Sequence, residues 1–178
     1  MIIDFQTHIF PEHYMETMGK RDGAVVLEDP DPYSGMAYLY DKTLGCRINT
    51  AILKGRNVEQ RLEHMDRQGV DVQVVSIPAP GADRYERDDA VVMAQVANDE
   101  LASMCSQHPD RFVGLATLPT ASIDASLDEL KRAHEELGLR GFGCFTNLNG
   151  RSLDDEAFFP IYEKLAEYEL PVYIHPTA

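Results

Sequence analysis

Three side chains near the two ends of the chain have the types and spacing of a metal or catalytic centre: Gln6 and His8 at the start, and His175 close to the end. An imidazole ligates a divalent cation through one ring nitrogen, whereas a glutamine offers only a neutral amide oxygen. His8 belongs to the stretch Ile-Ile-Asp-Phe-Gln-Thr-His-Ile-Phe, residues 2–10, which is followed by Pro11. This reads as a short apolar strand with polar side chains at its C-terminal end. Strand alternation predicts that Asp4, Gln6 and His8 share one face and Ile3, Phe5 and Thr7 the other. A row of polar groups at a strand end makes a poor core but suits the mouth of a barrel. Pro171-Val-Tyr-Ile-His-Pro176 answers it, a second short apolar strand ending in His175.

The elements that must position these groups alternate along the chain. A helical turn is expected around Pro11 to Met18. The segment from Gly19 to Gly55 is rich in Gly, Asp and Pro, and reads as an insertion (19–56) in which Ala24–Leu27 and Met36–Tyr40 pair as a hairpin. Asn57 and Gln60 have capping-box spacing for a helix whose buried stripe is Val58, Leu62 and Met65, and which Gly69 ends. Val70–Pro78 is a strand. Ala90, Met93, Ala94, Ala97, Leu101, Met104 and Cys105 recur at helical spacing, with Pro109 stopping the helix. Phe112–Leu118 and Gly141–Thr146 are further strands, and Ile123, Leu127, Leu130 and Leu137 mark the helix between them. Residues 154–168 are helical with a fresh start near Pro160.

Five strands alternating with helices predict a parallel sheet covered by helices. A doubly wound sheet often has a glycine-rich loop after its first strand, and Gln6-Thr-His-Ile-Phe-Pro11 has no glycine. Polar residues at several strand ends, His8, Asn147 and His175, favour a TIM-type (β/α)₈ barrel instead. Such a barrel typically takes about 250 residues, so 178 residues are expected to supply only its first five β/α units.

Composition narrows the function. Thirty acidic against sixteen basic side chains give a net charge of −14, which argues against nucleic acid or an anionic membrane as partner. No apolar run approaches the roughly 20 residues of a membrane span, and the N-terminus lacks a signal-peptide pattern. A soluble, cytoplasmic protein is expected. Cys46, Cys105 and Cys144 are too few and wrongly spaced for a disulfide framework or a cysteine zinc site, and read as reduced packing thiols.

The chain resembles the amidohydrolase-related metal-dependent decarboxylases. The matching stretches are Ile-Asp-Phe-Gln-Thr-His-Ile-Phe-Pro at the start, Arg61-Leu-Glu-His-Met-Asp-Arg-Gln-Gly-Val-Asp71 and Asn98-Asp-Glu-Leu101. To these are added His108-Pro-Asp-Arg-Phe-Val-Gly114, Leu118-Pro119, Gly150-Arg-Ser-Leu-Asp-Asp155 and Tyr173-Ile-His-Pro176. The resemblance implies a barrel with a divalent metal, usually zinc with manganese as the alternative, at the strand C-termini. The family's first strand carries His-x-His; here His8 matches the second position and Gln6 stands at the first. His175 matches the histidine ending strand five. Asn147 stands where a histidine often follows strand four, and Arg47 near a substrate-binding arginine. A further histidine after strand six and an aspartate after strand eight, with the general acid–base group, are expected beyond residue 178.

The resulting expectation is a metal-dependent decarboxylase or hydrolase for a small carboxylate substrate, aromatic or muconate-like. His8, His175 and Gln6 hold the metal, and Arg47 and Asn147 contact substrate. The plainer readings are that Asn147 serves the turn Asn-Leu-Asn-Gly, that Arg47 is a surface charge, and that Asp4 is a buried acceptor. His13, His64, His108 and His134 read as solvent-side or packing residues. The alternative class is a catalytically incompetent barrel fragment, its metal site eroded at Gln6. Open sheet edges at strands one and five predict a homo-oligomer or a poorly soluble chain.

Overall fold

Five parallel strands stand side by side in chain order, and their helices lie on one face. The computed structural model describes residues 1–20, 25–28, 36–42, 45–52 and 58–176. Strand β1 (Ile3–His8) is followed by helix α1 (Glu12–Lys20), then the insertion strands β2 (Val25–Leu27), β3 (Met36–Asp41) and β4 (Cys46–Ile52). Next come α2 (Val58–Gln68), β5 (Val72–Ser76), α3 (Arg87–Gln107), β6 (Phe112–Gly114) and α4 (Ile123–Glu135). The order ends with β7 (Phe142–Phe145), a two-stranded hairpin of β8 (Asn147–Leu148) and β9 (Arg151–Ser152), α5 (Phe159–Glu167) and β10 (Val172–His175).

β1, β5 and β6 form one parallel sheet, and β7 and β10 another. A single bridge, Ala116 opposite Phe142, joins them. Ala116 N donates to Gly141 O (2.8 Å) and Gly143 N to Ala116 O (2.9 Å). Sequential parallel neighbours without a reversal are the order of a wound barrel and not of a doubly wound sheet. The seam is braced from outside. Asn98 of α3 donates to Thr117 O and accepts from Thr117 N, both at 2.9 Å, and donates to Glu129 of α4 at 2.6 Å. Arg132 in turn neutralises the buried Glu129.

The helices pack through spaced apolar stripes. α3 buries Ala90, Met93, Ala94, Ala97, Leu101 and Met104, its alanines letting the backbone approach the sheet. Val75, Ile77 and Phe112 meet it from the strands, with Tyr14, Met15 and Met18 of α1. A second cluster joins Phe142 and Cys144 to Leu130, Ile161 and Leu165 of α4 and α5. Each such fully buried large side chain contributes about 1.5–3 kcal/mol.

Helix ends follow the sequence closely, with one departure. Gly69 (φ +69) takes the left-handed position after α2, and Val70 N closes on Met65 O at 2.9 Å. α5 ends in the same way, Leu170 N on Leu165 O at 2.9 Å, but Glu169 occupies the left-handed position at φ 54. A Cβ there is strained. Pro160 lies in the first turn of α5, after a 3₁₀ turn at Glu156–Phe158, as its fresh start required.

The insertion is larger than a hairpin. β2 pairs with β3 as the sequence suggests, and β4 adds a third antiparallel strand. Its Leu39 is buried in the main core, and the buried Asp41 pairs with Arg84. Asn57, expected to cap α2, lies outside the described residues.

The two outer strands leave apolar side chains in water: Phe5 is 56% exposed on β1, and Ile174 49% on β10. Self-association through these edges is the expected outcome. Sedimentation velocity should show concentration-dependent association that Phe5→Lys with Ile174→Lys weakens; a concentration-independent monomer contradicts it.

Candidate metal centre

The first imidazole is aimed by a slip in strand register. Ile3 and Asp4 of β1 stand opposite Val72 and Gln73, but Thr7 and His8 stand opposite Val75 and Ser76. Phe5 and Gln6 thus span what one residue spans in β5, a bulge. Paired residues in a parallel sheet point the same way. Asp4 therefore lies with Gln73 and Thr7, and His8 with Ser76 on the opposite face. This corrects the expectation that Asp4 shares a face with His8; simple alternation does not survive a bulge. Asp4 does act as an acceptor, from Gln6 N and Gln73 Nε2, each at 3.4 Å.

Two polar contacts lock His8. Its Nδ1 lies 3.0 Å from Ser76 Oγ, and Arg61 Nη2 donates to its carbonyl at 2.8 Å while Nη1 donates to Gln73 Oε1. His8 Nε2 is buried without a hydrogen-bond partner. Burial, then the neighbouring His175, hold its imidazole below its ordinary pKa and therefore neutral at pH 7. His175 Nδ1 lies 2.7 Å from Pro176 O. A carbonyl only accepts, so Nδ1 carries the hydrogen and Nε2 is the ring position left for a ligand. The two rings meet edge-on with centroids 4.8 Å apart.

That contact reports on the whole sheet. β1 and β10 are the first and last of five strands, so a flat sheet would separate them by roughly 19 Å at ordinary strand spacing. Imidazoles in contact require the sheet to curl until its two outer strands face each other. Two imidazoles side by side, one with an orphaned buried nitrogen, fit a divalent cation.

The remaining candidates are less converged. Gln6 is exposed. Arg47 of β4 pairs with Glu28 at 2.6 Å and lies over the Tyr38 ring at 4.2 Å. Asn147 Oδ1 accepts from Gly150 N at 3.2 Å, the turn role anticipated for it. Among the described residues, neither Arg47 nor Asn147 forms a hydrogen bond, ion pair or ring contact with the two imidazoles. No group of three or more His, Cys, Asp or Glu is placed to hold an ion among those residues. Burial pushes the thiols of Cys105 up to about 11 and Cys144 up to about 12, which leaves both as inert packing groups. Cys46 is exposed and so does not pack.

Two residues at the same rim escaped the sequence reading. Asp83 sits in the 3₁₀ turn Ala82–Arg84, beyond the end of β5. The residue as a whole is half-buried, but its Oδ1 is sealed from water and unpartnered. Burial pushes its carboxyl up to about 6 against the opposing pull of local backbone N–H groups and Arg84. Asn149, at φ 53, ties the loops together: its Nδ2 donates to Asp83 O at 2.6 Å, and its Oδ1 accepts from Thr120 Oγ1 at 2.5 Å. An Asn-Gly pair in the sequence marks the turn, but not which asparagine clasps the neighbouring loops.

A curled parallel α/β sheet with imidazoles on its C-terminal rim defines a barrel-type metal site. The chain belongs to the amidohydrolase family, whose "Amidohydrolase" model matches residues 3–178. It is similar to 2-amino-3-carboxymuconate-6-semialdehyde decarboxylase of Dictyostelium discoideum, 32% identical over 185 residues covering 98% of this chain and 48% of the relative. Among solved structures it superposes on apo IDCase from Metarhizium anisopliae with TM-score 0.83 and 25% identity, over 99% of this chain and 50% of that one. It also superposes on 5-carboxyvanillate decarboxylase from Novosphingobium aromaticivorans, solved with manganese and 4-hydroxy-3-methoxy-5-nitrobenzoic acid (TM-score 0.77, 27% identity, 99% and 50%). The chain spans about half the length of the curated relatives it matches. No helix among the described residues is long and apolar enough to cross a membrane.

Asp83 gives this rim a pH signature. Its folded pKa of about 6 lies above the ordinary 3.8, so between those values the folded protein holds a proton that the unfolded chain has released. Stability therefore falls as pH rises through that window and the loss is complete above it. Asp83→Asn should raise stability at pH 7.5 by on the order of 1 kcal/mol and change it little below pH 4. Thermal melts at both pH values test this; an equal shift at both contradicts it.

Proposed function

We propose that the chain supplies the first five β/α units of an eight-stranded barrel enzyme that decarboxylates a small carboxylate, aromatic or muconate-like, with a divalent cation. The observation that carries this reading is the His8–His175 pair, in contact at 4.8 Å with His8 Nε2 buried and unpartnered. The names of the relatives, decarboxylases of a carboxymuconate semialdehyde and of carboxyvanillate, support the reaction and the substrate class.

The chain's own residues hold and orient. Ser76 and Arg61 fix the His8 ring and backbone, and Pro176 O fixes the His175 tautomer, so both Nε2 atoms are presented as ligands. Gly143 adjoins Ser76 and Leu115, and its missing side chain leaves room between them. A bound cation would supply Lewis-acid stabilisation of negative charge on the substrate as carbon dioxide leaves. Gln6, exposed in the bulge just before His8, would add a hard amide oxygen if it turned to the cation, a donor set that suits manganese better than one built of imidazoles alone. Arg47 would clamp a second substrate carboxylate by exchanging Glu28 for it, and the Asn147 amide would donate a hydrogen bond. The acid–base group and the remaining ligands come from outside the five strands. The same metal-holding strands serve a hydrolase as well.

Gln6 also favours a second reading, a barrel unit whose site has lost its metal. Metal content by mass spectrometry separates the two. We expect close to one manganese or zinc per chain, lost on His8→Ala or His175→Ala and bound roughly tenfold or more tightly in Gln6→His, in line with the strength of imidazole ligation. Background metal in both the wild type and Gln6→His would sink the metal-enzyme reading. Carbon dioxide release from carboxylated phenols and muconate-like acids then tests the reaction.

A further inference from the structure

The rim holds one acid that the fold does not use. Asp83 Oδ1 is sealed from water and accepts no hydrogen bond, although buried polar atoms are nearly always paired. Its turn is nevertheless firmly held. Asn149 donates to Asp83 O at 2.6 Å and is itself bound by Thr120. Tyr14 hydroxyl donates to Pro80 O at 3.4 Å, and Arg84 pairs with the buried Asp41 of the insertion. Helix α1, strand β3 and two loops thus fix the backbone that presents this carboxylate, and none of them donates a hydrogen bond to Oδ1.

Phe145 connects this acid to the imidazoles. A Cβ placed on Gly81 would meet Phe145 Cε2 at 2.9 Å and Asp83 Oδ1 at 3.0 Å. The edge of the ring and the orphan oxygen therefore both close on Gly81, where only a glycine fits between them. The same Phe145 ring lies 6.3 Å, centroid to centroid, from the His175 ring in a T-shaped contact. A flat substrate lying along Phe145 would have one end at the imidazoles and the other toward Asp83.

We propose that Asp83 is a specificity-determining residue: its Oδ1 accepts a hydrogen bond from a hydroxyl or amino group at the end of the substrate remote from the metal-held carboxylate, with Phe145 as the wall along which the substrate lies. This rests on the metal-dependent reading above. Because Oδ1 is closed to water in the free protein, the Phe145 ring edge turns aside as the ligand enters. Burial makes the choice sharp. A donor relieves an acceptor that water cannot reach, whereas a ligand lacking the donor leaves it unpaired. At pH 7.5 the carboxyl, titrating at about 6, is an ionised acceptor.

The test is calorimetric binding to the manganese-loaded protein at pH 7.5 of two probes differing by one donor, 2,4-dihydroxybenzoate and 2-hydroxy-4-methoxybenzoate. The wild type should bind the dihydroxy probe at least about tenfold more tightly, the equivalent of about 1.4 kcal/mol. Asp83→Asn, which keeps the shape and removes the charge, should reduce that ratio, and Asp83→Ala should bring it close to one. Phe145→Leu should weaken both probes together. Equal binding of the probes by the wild type, or an unchanged ratio in both folded Asp83 variants, overturns the assignment and leaves the metal reading standing. Binding of neither probe to a manganese-loaded wild type sinks the assignment together with the carboxylate-site reading on which it rests.

Discussion

The curl of the five-stranded sheet is the constraint on which everything else depends. Its outer strands would lie roughly 19 Å apart if it were flat, yet His8 and His175 touch. The covering helices pack on one face, and the two imidazoles meet on the other. The curl runs through a narrow place. One bridge pair, Ala116 with Phe142, joins β6 to β7, and the polar cluster Asn98–Glu129–Arg132 braces the adjoining Thr117 from the helix side. A buried carboxylate and amide at that position hold α3, α4 and the strand end together through fully paired groups. Removing one partner would leave a charge or an amide stranded in the core, a large cost in stability. Position is what that network supplies to the seam on which the contact of the two imidazoles depends.

The rim shows a division of labour. His8 and His175 have their Nδ1 atoms engaged, and His8 Nε2 is buried without a partner. Asp83 and Asn149 belong to the loops, and there the pattern recurs in another form: backbone firmly tied, one carboxylate oxygen left unpaired. Keeping an unpaired acid at neutral pH lowers stability, as does holding Glu169 in a left-handed conformation. The first of these lies beside the site, where such costs commonly accompany function; the second lies at the far end of α5 and is a plain matter of chain reversal.

Much of the fold was legible because it is written in periodicity. The strands, the helices, their glycine stops at Gly69 and Gly138, and the paired histidines all follow from spacing and burial. The amidohydrolase resemblance extended that reading to a family, which the whole-chain match bears out. What stayed hidden depends on geometry that spacing does not encode. A bulge turned Asp4 away from His8, since alternation assumes an unbroken register. The third insertion strand, β4, follows a turn at Gly45 and lacks a long apolar run. Asp83 lies in a loop with no pattern at all, and its character comes from burial beside groups far along the chain, Phe145 next to its carboxylate and Asn149 on its carbonyl.

The central claim is that this curl brings two imidazoles onto one cation. Electron spin-echo envelope modulation of the manganese-loaded protein addresses it most directly, since it detects nitrogen nuclei bonded to the ion. Modulation from two histidine nitrogens is expected, reduced to one in either His8→Ala or His175→Ala. Manganese bound without nitrogen modulation, or with modulation unchanged by both substitutions, would place the ion elsewhere and contradict it.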